Sequence, residues 1–204
     1  MYRFFYAPKS CSLASHIALE QAGAEYEAIK VNLADNEQRE DEYLSLNPKG
    51  RVPVLALPDG ILTENLAILV YVSQTFPEAH LAPLDDPAAF ARLLAFCAYL
   101  SSTVHVAHAH GVRGYRWADD PAAISEMKRK TPETMTECFE MIETDMFKGP
   151  WVMGEDYGIG DMYLFTIATW LEADGVDPAQ CPKVHEHRTR MLSDPIVKKV
   201  IAVQ

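Results

Sequence analysis

Cys11 and Ser12 are the residues whose type and position best suit chemistry in this chain. The apolar run Met1 to Tyr6 stops at Pro8, and a helical pattern with Leu13 and Ile17, Ala14 and Ala18 on one face begins within five residues. Cys11 is therefore expected at a helix N-terminus, where unpaired N–H groups and the positive end of the helix dipole favour an anion. A thiolate or alkoxide at Cys11 or Ser12 would be stabilised there, and so would a thiolate carried by a ligand. The competing reading makes Cys11 a small buried hydrophobe and Ser10 or Ser12 an N-cap. Glu64 and Asn65 stand at the start of another helical pattern, Asn65 as its expected N-cap, and Glu64 also reads as a first-turn charge that merely suits the dipole. His105, His108 and His110 share a long apolar helix. His105 and His108 lie on one face, but no acidic or thiolate partner stands at ligand spacing, so no metal is expected.

The elements that must position these residues alternate through the first 77 residues. Gly23 is the expected C-cap of the first helix, and Ile29, Val31 and Leu33 alternate with Lys30 and Asn32 in a second strand over Tyr26 to Leu33. Tyr43 to Leu46 reads as a short helix stopped by Asn47-Pro48-Lys49-Gly50. Val52 to Leu57, Pro58-Asp59-Gly60 and Ile61 to Thr63 form a hairpin signature. Pro53 cannot donate to a ladder, so it belongs at an edge, a strand start or a special turn such as a cis Val52-Pro53 bond. Leu66, Leu69, Val72 and Phe76 then give a helix stopped by Pro77, and the order is β-α-β-α-β-β-α.

The remainder reads as helical. Pro77, Pro83 and Pro87 punctuate a linker over 78–87, with Asp86 and Pro87 as the cap and first residue of a helix that runs to about His110 and ends at Gly111 to Gly114. A second helix opens at Asp120-Pro121 and runs to about Phe147, kinked or split by Pro132. Others start near Ile159, cover Val184 to Leu192, and open at Asp194-Pro195. The expected domains are 1–77 and 88–204.

Composition narrows the partners. With 18 Lys and Arg against 29 Asp and Glu, the 204-residue chain has a net charge of -11, which repels phosphate backbones and anionic lipid, so neither nucleic acid nor membrane is an expected partner. No leader pattern opens the sequence and no uninterrupted apolar run of membrane-spanning length occurs, which reads as cytoplasmic and soluble. Cys11, Cys97, Cys138 and Cys181 lie far apart without a Cys-x-x-Cys pair; reduced thiols are expected, the last three as packing residues.

Cys11-Ser12-Leu13-Ala14-Ser15-His16-Ile17, Asn47-Pro48-Lys49-Gly50-Arg51-Val52-Pro53 and Tyr163-Leu164-Phe165 resemble the glutathione S-transferases, the bacterial beta class in particular. The likeness spans nearly the whole chain. It implies a thioredoxin-like α/β domain that binds glutathione, followed by an all-helical domain with a hydrophobic-substrate site and part of a homodimer interface. It implies a cis Pro53, Val52 offering its backbone to the cysteinyl part of glutathione, Glu64 and Asn65 receiving the γ-glutamyl end, and Arg51 approaching a carboxylate. Cys11 would lie beside the glutathione sulfur, able to form a mixed disulfide, and His105 would face the same sulfur. The activity implied is conjugation of the glutathione thiolate to small hydrophobic electrophiles, of the detoxification type. The alternatives are a glutaredoxin-like thiol-disulfide oxidoreductase working through Cys11 and a non-catalytic ligand-binding protein. Tyr115 and Trp117 read equally as lining of the second-substrate site or as aromatic core. Three positions depart from the beta pattern: Val106 for lysine, Ala98 for asparagine, and the Asp35-Asn36 region for a lysine-bearing loop. Each removes a partner for an anionic tripeptide. The helix cap Gly158-Ile159-Gly160-Asp161 keeps the acid but lacks the usual hydroxyl, with Tyr157 and Met162 as its staple.

Overall fold

The first strand is almost wholly aromatic, and its Phe4, Phe5 and Tyr6 are buried in a sheet with helices laid on it. The structure, a computed structural model, describes residues 1–204. Its contacts divide the chain into one unit of Met1–Phe90 with Leu192–Gln204, and a second of Ala91–Met191.

In the first unit, β1 (Tyr2–Tyr6), β2 (Tyr26–Lys30), β3 (Val54–Leu57) and β4 (Gly60–Thr63) form a mixed sheet in the order β2-β1-β3-β4. β1 runs parallel to β2, with Phe4 opposite Ala28, and antiparallel to β3, with Phe4 opposite Leu55; β3 and β4 form the expected hairpin. Helices α1 (Ser12–Gln21) and α3 (Asn65–Thr75) pack together, and Phe4, Ile17, Leu55, Ile68, Leu69 and Val72 fill the core. α2 (Asp41–Leu46) is the short helix before the Asn47 turn. Gly23, at φ 65°, ends α1: its N–H donates to the Glu20 carbonyl at 3.1 Å, and that of Ala24 to the Leu19 carbonyl at 3.0 Å. This pair of hydrogen bonds closes the last turn through a left-handed conformation that costs glycine little. The second strand stops at Lys30, short of Leu33, although the Val31 N–H still donates to the Tyr6 carbonyl at 2.7 Å.

The chain end completes this unit. α9 (Pro195–Ile201), capped by Asp194 as expected, packs on α1. The Tyr6 hydroxyl donates to the Val203 carbonyl at 2.8 Å, the Gln204 amide lies 2.7 Å from His16 Nδ1, and Lys199 pairs with Glu20.

The second unit is helical. α4 (Pro87–Tyr99) continues through a wide turn at Leu100–Val104 into α5 (His105–Arg113), with Asp86 accepting from Ala88 and Ala89 as its cap. The helical run Pro87–Arg116 is long and apolar enough to cross a membrane by length and composition, but Leu93, Cys97, Leu100 and Val104 are buried in protein. Gly111 does not end this helix. A Cβ there would stand 2.8 Å from Thr131 Oγ1, so the glycine serves the close approach of α5 to α6 (Pro121–Met141). Pro132 neither splits nor ends α6, which is continuous through it. Its missing N–H costs one ladder bond, to the carbonyl of the exposed residue Lys128. α7 (Ile159–Ala168) is buried along its whole length, and α8 (Pro182–Ser193) closes the unit. At the start of α7 the Asp161 carboxylate accepts from Gly158 N at 2.9 Å, Val152 N at 2.8 Å and His187 Nε2 at 3.1 Å, so the acid alone does the work expected of the capping pair.

Candidate active site

The loop between β1 and α1 turns on Lys9, held at φ 59°, and delivers Cys11 to the cap position of α1. Cys11 is half-buried, and its Sγ lies 3.7 Å from the Val52 carbonyl oxygen, to which the thiol donates. Ser12 is placed differently from Cys11. Its hydroxyl is fully buried, accepting from Ala7 N at 3.2 Å and lying 3.1 Å from the Ala7 carbonyl and 2.6 Å from Ser10 Oγ. Ser12 thus ties the loop, and Ser10 Oγ takes the Ser12 N–H at 3.2 Å in the manner of a cap. Cys97, Cys138 and Cys181 are buried, and burial first of all raises their thiols, Cys97 to about 12 and Cys181 to about 11. They pack and do not ionise at neutral pH.

Beside Cys11 stands the loop that enters β3. The Val52-Pro53 bond is cis. The carbonyl of Arg51 accepts from Tyr43 Oη at 2.8 Å and from the buried Asn47 Nδ2 at 2.7 Å, while the Arg51 side chain extends into solvent. Gly50, at φ 57°, is required here: a Cβ would stand 2.8 Å from the Gln38 carbonyl oxygen. The Val52 backbone is held in the loop that enters the central strand β3, next to the start of α1.

The third component is the start of α3. Glu64, not Asn65, occupies the cap, with φ 72° and ψ 122°, and Asn65 is the first helical residue. A β-carbon residue at such a φ carries backbone strain that the surrounding contacts must hold. Glu64 Oε1 pairs with Lys49 Nζ at 2.5 Å, and the same ammonium donates to Thr63 Oγ1 at 2.7 Å. Asn65 is 6% exposed; its Oδ1 accepts from the Ser15 hydroxyl at 2.5 Å, while its Nδ2 is buried without a partner. Whichever way the amide is turned, one of its polar atoms stays unsatisfied. The sequence names Glu64 and Asn65 but not Lys49 or Ser15, whose parts depend on the hairpin and on α1 reaching α3.

In the second unit His105 lies under Trp170, ring centroids 5.1 Å apart, with Arg113 Nη2 3.4 Å from its Nε2. A guanidinium only donates, so in this arrangement Nε2 accepts and the ring proton sits on Nδ1. His108 is a separate matter. Its Nδ1 stands 2.8 Å from both oxygens of the buried Asp174, and its ring stacks on Trp170 at 4.2 Å. Nothing in the local pattern announces that pair, since Asp174 follows in sequence 66 residues later. No three His, Cys, Asp or Glu side chains gather as a metal site. Tyr115 and Trp117 are 64% and 48% exposed, which rules out the aromatic-core reading; Trp117 leans on His110 at 4.5 Å. Ala98 is exposed, and Asp35 is taken by Asn32 Nδ2 at 2.5 Å.

A cysteine at a helix start, a cis-proline at the entrance of a central strand and a four-stranded mixed sheet, followed by an all-helical second unit, make up the architecture of a glutathione transferase. The family description "Glutathione S-transferase, N-terminal domain" matches residues 2–74, and "Glutathione S-transferase, C-terminal domain" matches residues 105–195. The chain belongs to the glutathione S-transferase family. It is 27% identical to the glutathione S-transferase GstA of Escherichia coli O157:H7, over 99% of this chain and 98% of that one. Among solved structures, a glutathione transferase homologue from Sulfitobacter with bound glutathione is 42% identical, with a TM-score of 0.96 over 100% of this chain and 98% of that one. A beta class glutathione S-transferase of Sphingomonas chungbukensis is 30% identical, with a TM-score of 0.86 over 98% of both chains.

Proposed function

We propose that this glutathione transferase binds glutathione on the first unit, its γ-glutamyl end at Glu64 and Asn65, its cysteinyl backbone at Val52 and its sulfur beside Cys11 at the end of α1. The observation that carries this reading is the meeting of Cys11 Sγ with the Val52 carbonyl at 3.7 Å, which brings a helix N-terminus and the loop backbone before the cis-proline within reach of a single cysteinyl group. The buried Nδ2 of Asn65 supports it, because a carboxylate arriving at this helix start would give that donor an acceptor. Arg51, exposed beside Val52, suits a second carboxylate. Residues 1–77 form the glutathione-binding part, 78–87 the linker, and 88–204 the helical part with the second-substrate site and dimer contacts, although its last segment, 192–204, packs with the first unit; Tyr115 and Trp117 supply exposed apolar surface for the second substrate.

Chemistry follows from ionisation. A free cysteinyl thiol with pKa near 8.5 is only a few per cent thiolate at neutral pH, and the thiolate is the nucleophile. The α1 dipole and a hydrogen bond from His105 raise that fraction, and the sulfur then attacks an electrophilic carbon, displacing its leaving group. Ser12 contributes by holding the loop. The second reading, disulfide exchange, is favoured by the half-buried Cys11 thiol at the same helix end. Assaying chloronitrobenzene conjugation, mixed-disulfide reduction and calorimetric binding of glutathione tests both: binding with conjugation supports the transferase reading, reduction alone the second, and no binding overturns both.

The working form is a homodimer in a reducing, cytoplasmic setting. Only 28% of the most apolar window of the helical run Pro87–Arg116 is buried within one chain, leaving apolar surface for a second copy. Light scattering that gives a monomer mass at micromolar concentration would remove the dimer.

A further inference from the structure

We propose that the cavity between the 147–150 loop and α8 in the second unit is a binding site for a small phosphate-type oxyanion, independent of glutathione. The cavity holds about 380 Å³ and is bordered by Lys148, Lys183 and Arg190, with Glu186 the sole carboxylate among its lining residues. On a chain of net charge -11, three cations against one carboxylate make this lining net positive.

Lys148 comes from the loop, Lys183 and Arg190 from α8, and each of the three donates to a backbone carbonyl. Lys148 donates to the Asp145 carbonyl, Lys183 to the Glu143 carbonyl at 2.7 Å, and Arg190 to the Pro150 carbonyl. A backbone carbonyl orients an ammonium without cancelling its charge, and an ammonium with three donors has two left for another acceptor. Only Arg190 meets a carboxylate, that of Glu186 at 2.7 Å. Its guanidinium also lies 5.2 Å from the centre of the Trp151 ring, which holds its plane in place. Lys183 and Arg190 are seven residues apart on α8, so they share one face of the helix.

The start of α8 does not itself offer the site. Its first amides are already taken, Lys183 N and Val184 N donating to Glu143 at 2.9 Å and 3.1 Å. An incoming anion is therefore held by side chains, and the tetrahedral, multiply charged oxygens of phosphate suit convergent ammonium and guanidinium donors. Phe147 and Pro150 also line the cavity, giving an organic phosphate an apolar wall. The ligand is accordingly orthophosphate or the phosphate of a small monoester.

Calorimetry with inorganic phosphate and with phenyl phosphate, each against sodium chloride of matched ionic strength, decides the matter. The expected result is saturable binding that weakens by roughly tenfold in Lys148→Met and again in Lys183→Met, the loss of one charge-assisted bond each. The exposed Lys128→Met on α6 serves as control and keeps parental affinity. Tighter binding of phenyl phosphate assigns a monoester; tighter binding of orthophosphate assigns the free ion. No saturable binding in either arm, or equal affinity in the Lys148→Met/Lys183→Met double variant, overturns the site.

Discussion

The thiol of Cys11 donates to the carbonyl oxygen of Val52 across 3.7 Å, so the cysteine at the start of α1 and the cis-proline turn share one point of the first unit. A protein thiol must take part covalently in disulfide exchange, whereas conjugation requires only a stabilised glutathione thiolate. Cys11→Ala is expected to abolish disulfide reduction while leaving measurable conjugation. His105→Ala is expected to lower conjugation and move its pH–rate profile to higher pH. Both activities measured across pH on both variants check this; conjugation lost in Cys11→Ala beside a parental His105→Ala profile would reverse the two roles.

Glu64 is the carboxylate at the strained start of α3, and its exposed position leaves it able to meet an ammonium group in competition with Lys49. Glu64→Ala is expected to weaken glutathione binding by about 1 to 3 kcal/mol. An unchanged dissociation constant by calorimetry would remove Glu64 from the site.

Asp161 satisfies two buried amides and a buried histidine at once. Replacing it by alanine orphans the N–H groups of Val152 and Gly158, and the expected loss is about 3 to 5 kcal/mol of unfolding free energy. Urea titration measures it; a loss below about 1 kcal/mol would mean that water or a rearranged loop takes over those donors.

His16 sets an acid limit. Burial lowers its pKa from 6.5 to about 4, with nearby Glu20 opposing the shift. The unfolded chain therefore takes up the proton first as pH falls from 6.5 toward 4. The contribution of a neutral His16 is complete above pH 6.5 and is lost across that window, about 3 kcal/mol at most. His16→Gln should flatten the stability curve between those pH values; denaturant midpoints of equal slope in the two proteins would contradict it.

Much of this arrangement is readable from local pattern because local physics decides it. Gly23 closes α1 as its sequence position suggests, and Asp86, Asp120 and Asp194 each cap the helix that a proline then opens, whereas the cis Val52-Pro53 bond is singled out by the family resemblance and not by local pattern, which also allows an edge or a strand start. The sequence misplaces features that tertiary contact decides. Gly111 looks like a stop but is a close contact with Thr131, and Pro132 looks like a break, yet α6 runs on through it. The cap position of α3 is Glu64, and the Asn65 side chain, instead of capping, accepts from the Ser15 hydroxyl on α1. Lys49 and Glu64, like His108 and Asp174, meet only after the chain has folded back on itself, so no periodicity announces them.

The attachment of α9 to α1 has a consequence for synthesis. Residues 192–204 belong to the first unit, yet the whole of Ala91–Met191 must be translated before they exist. At about 5–20 residues per second that interval is on the order of ten seconds. Throughout it the nascent first unit lacks the strand of contacts that Val203 and Gln204 later make with Tyr6 and His16, and the ring cluster of Phe4, Tyr6, His16 and Tyr26 is unsealed on that side. A messenger truncated before codon 192 would deliver that unsealed state permanently, to the quality-control proteases rather than to the pool of working enzyme.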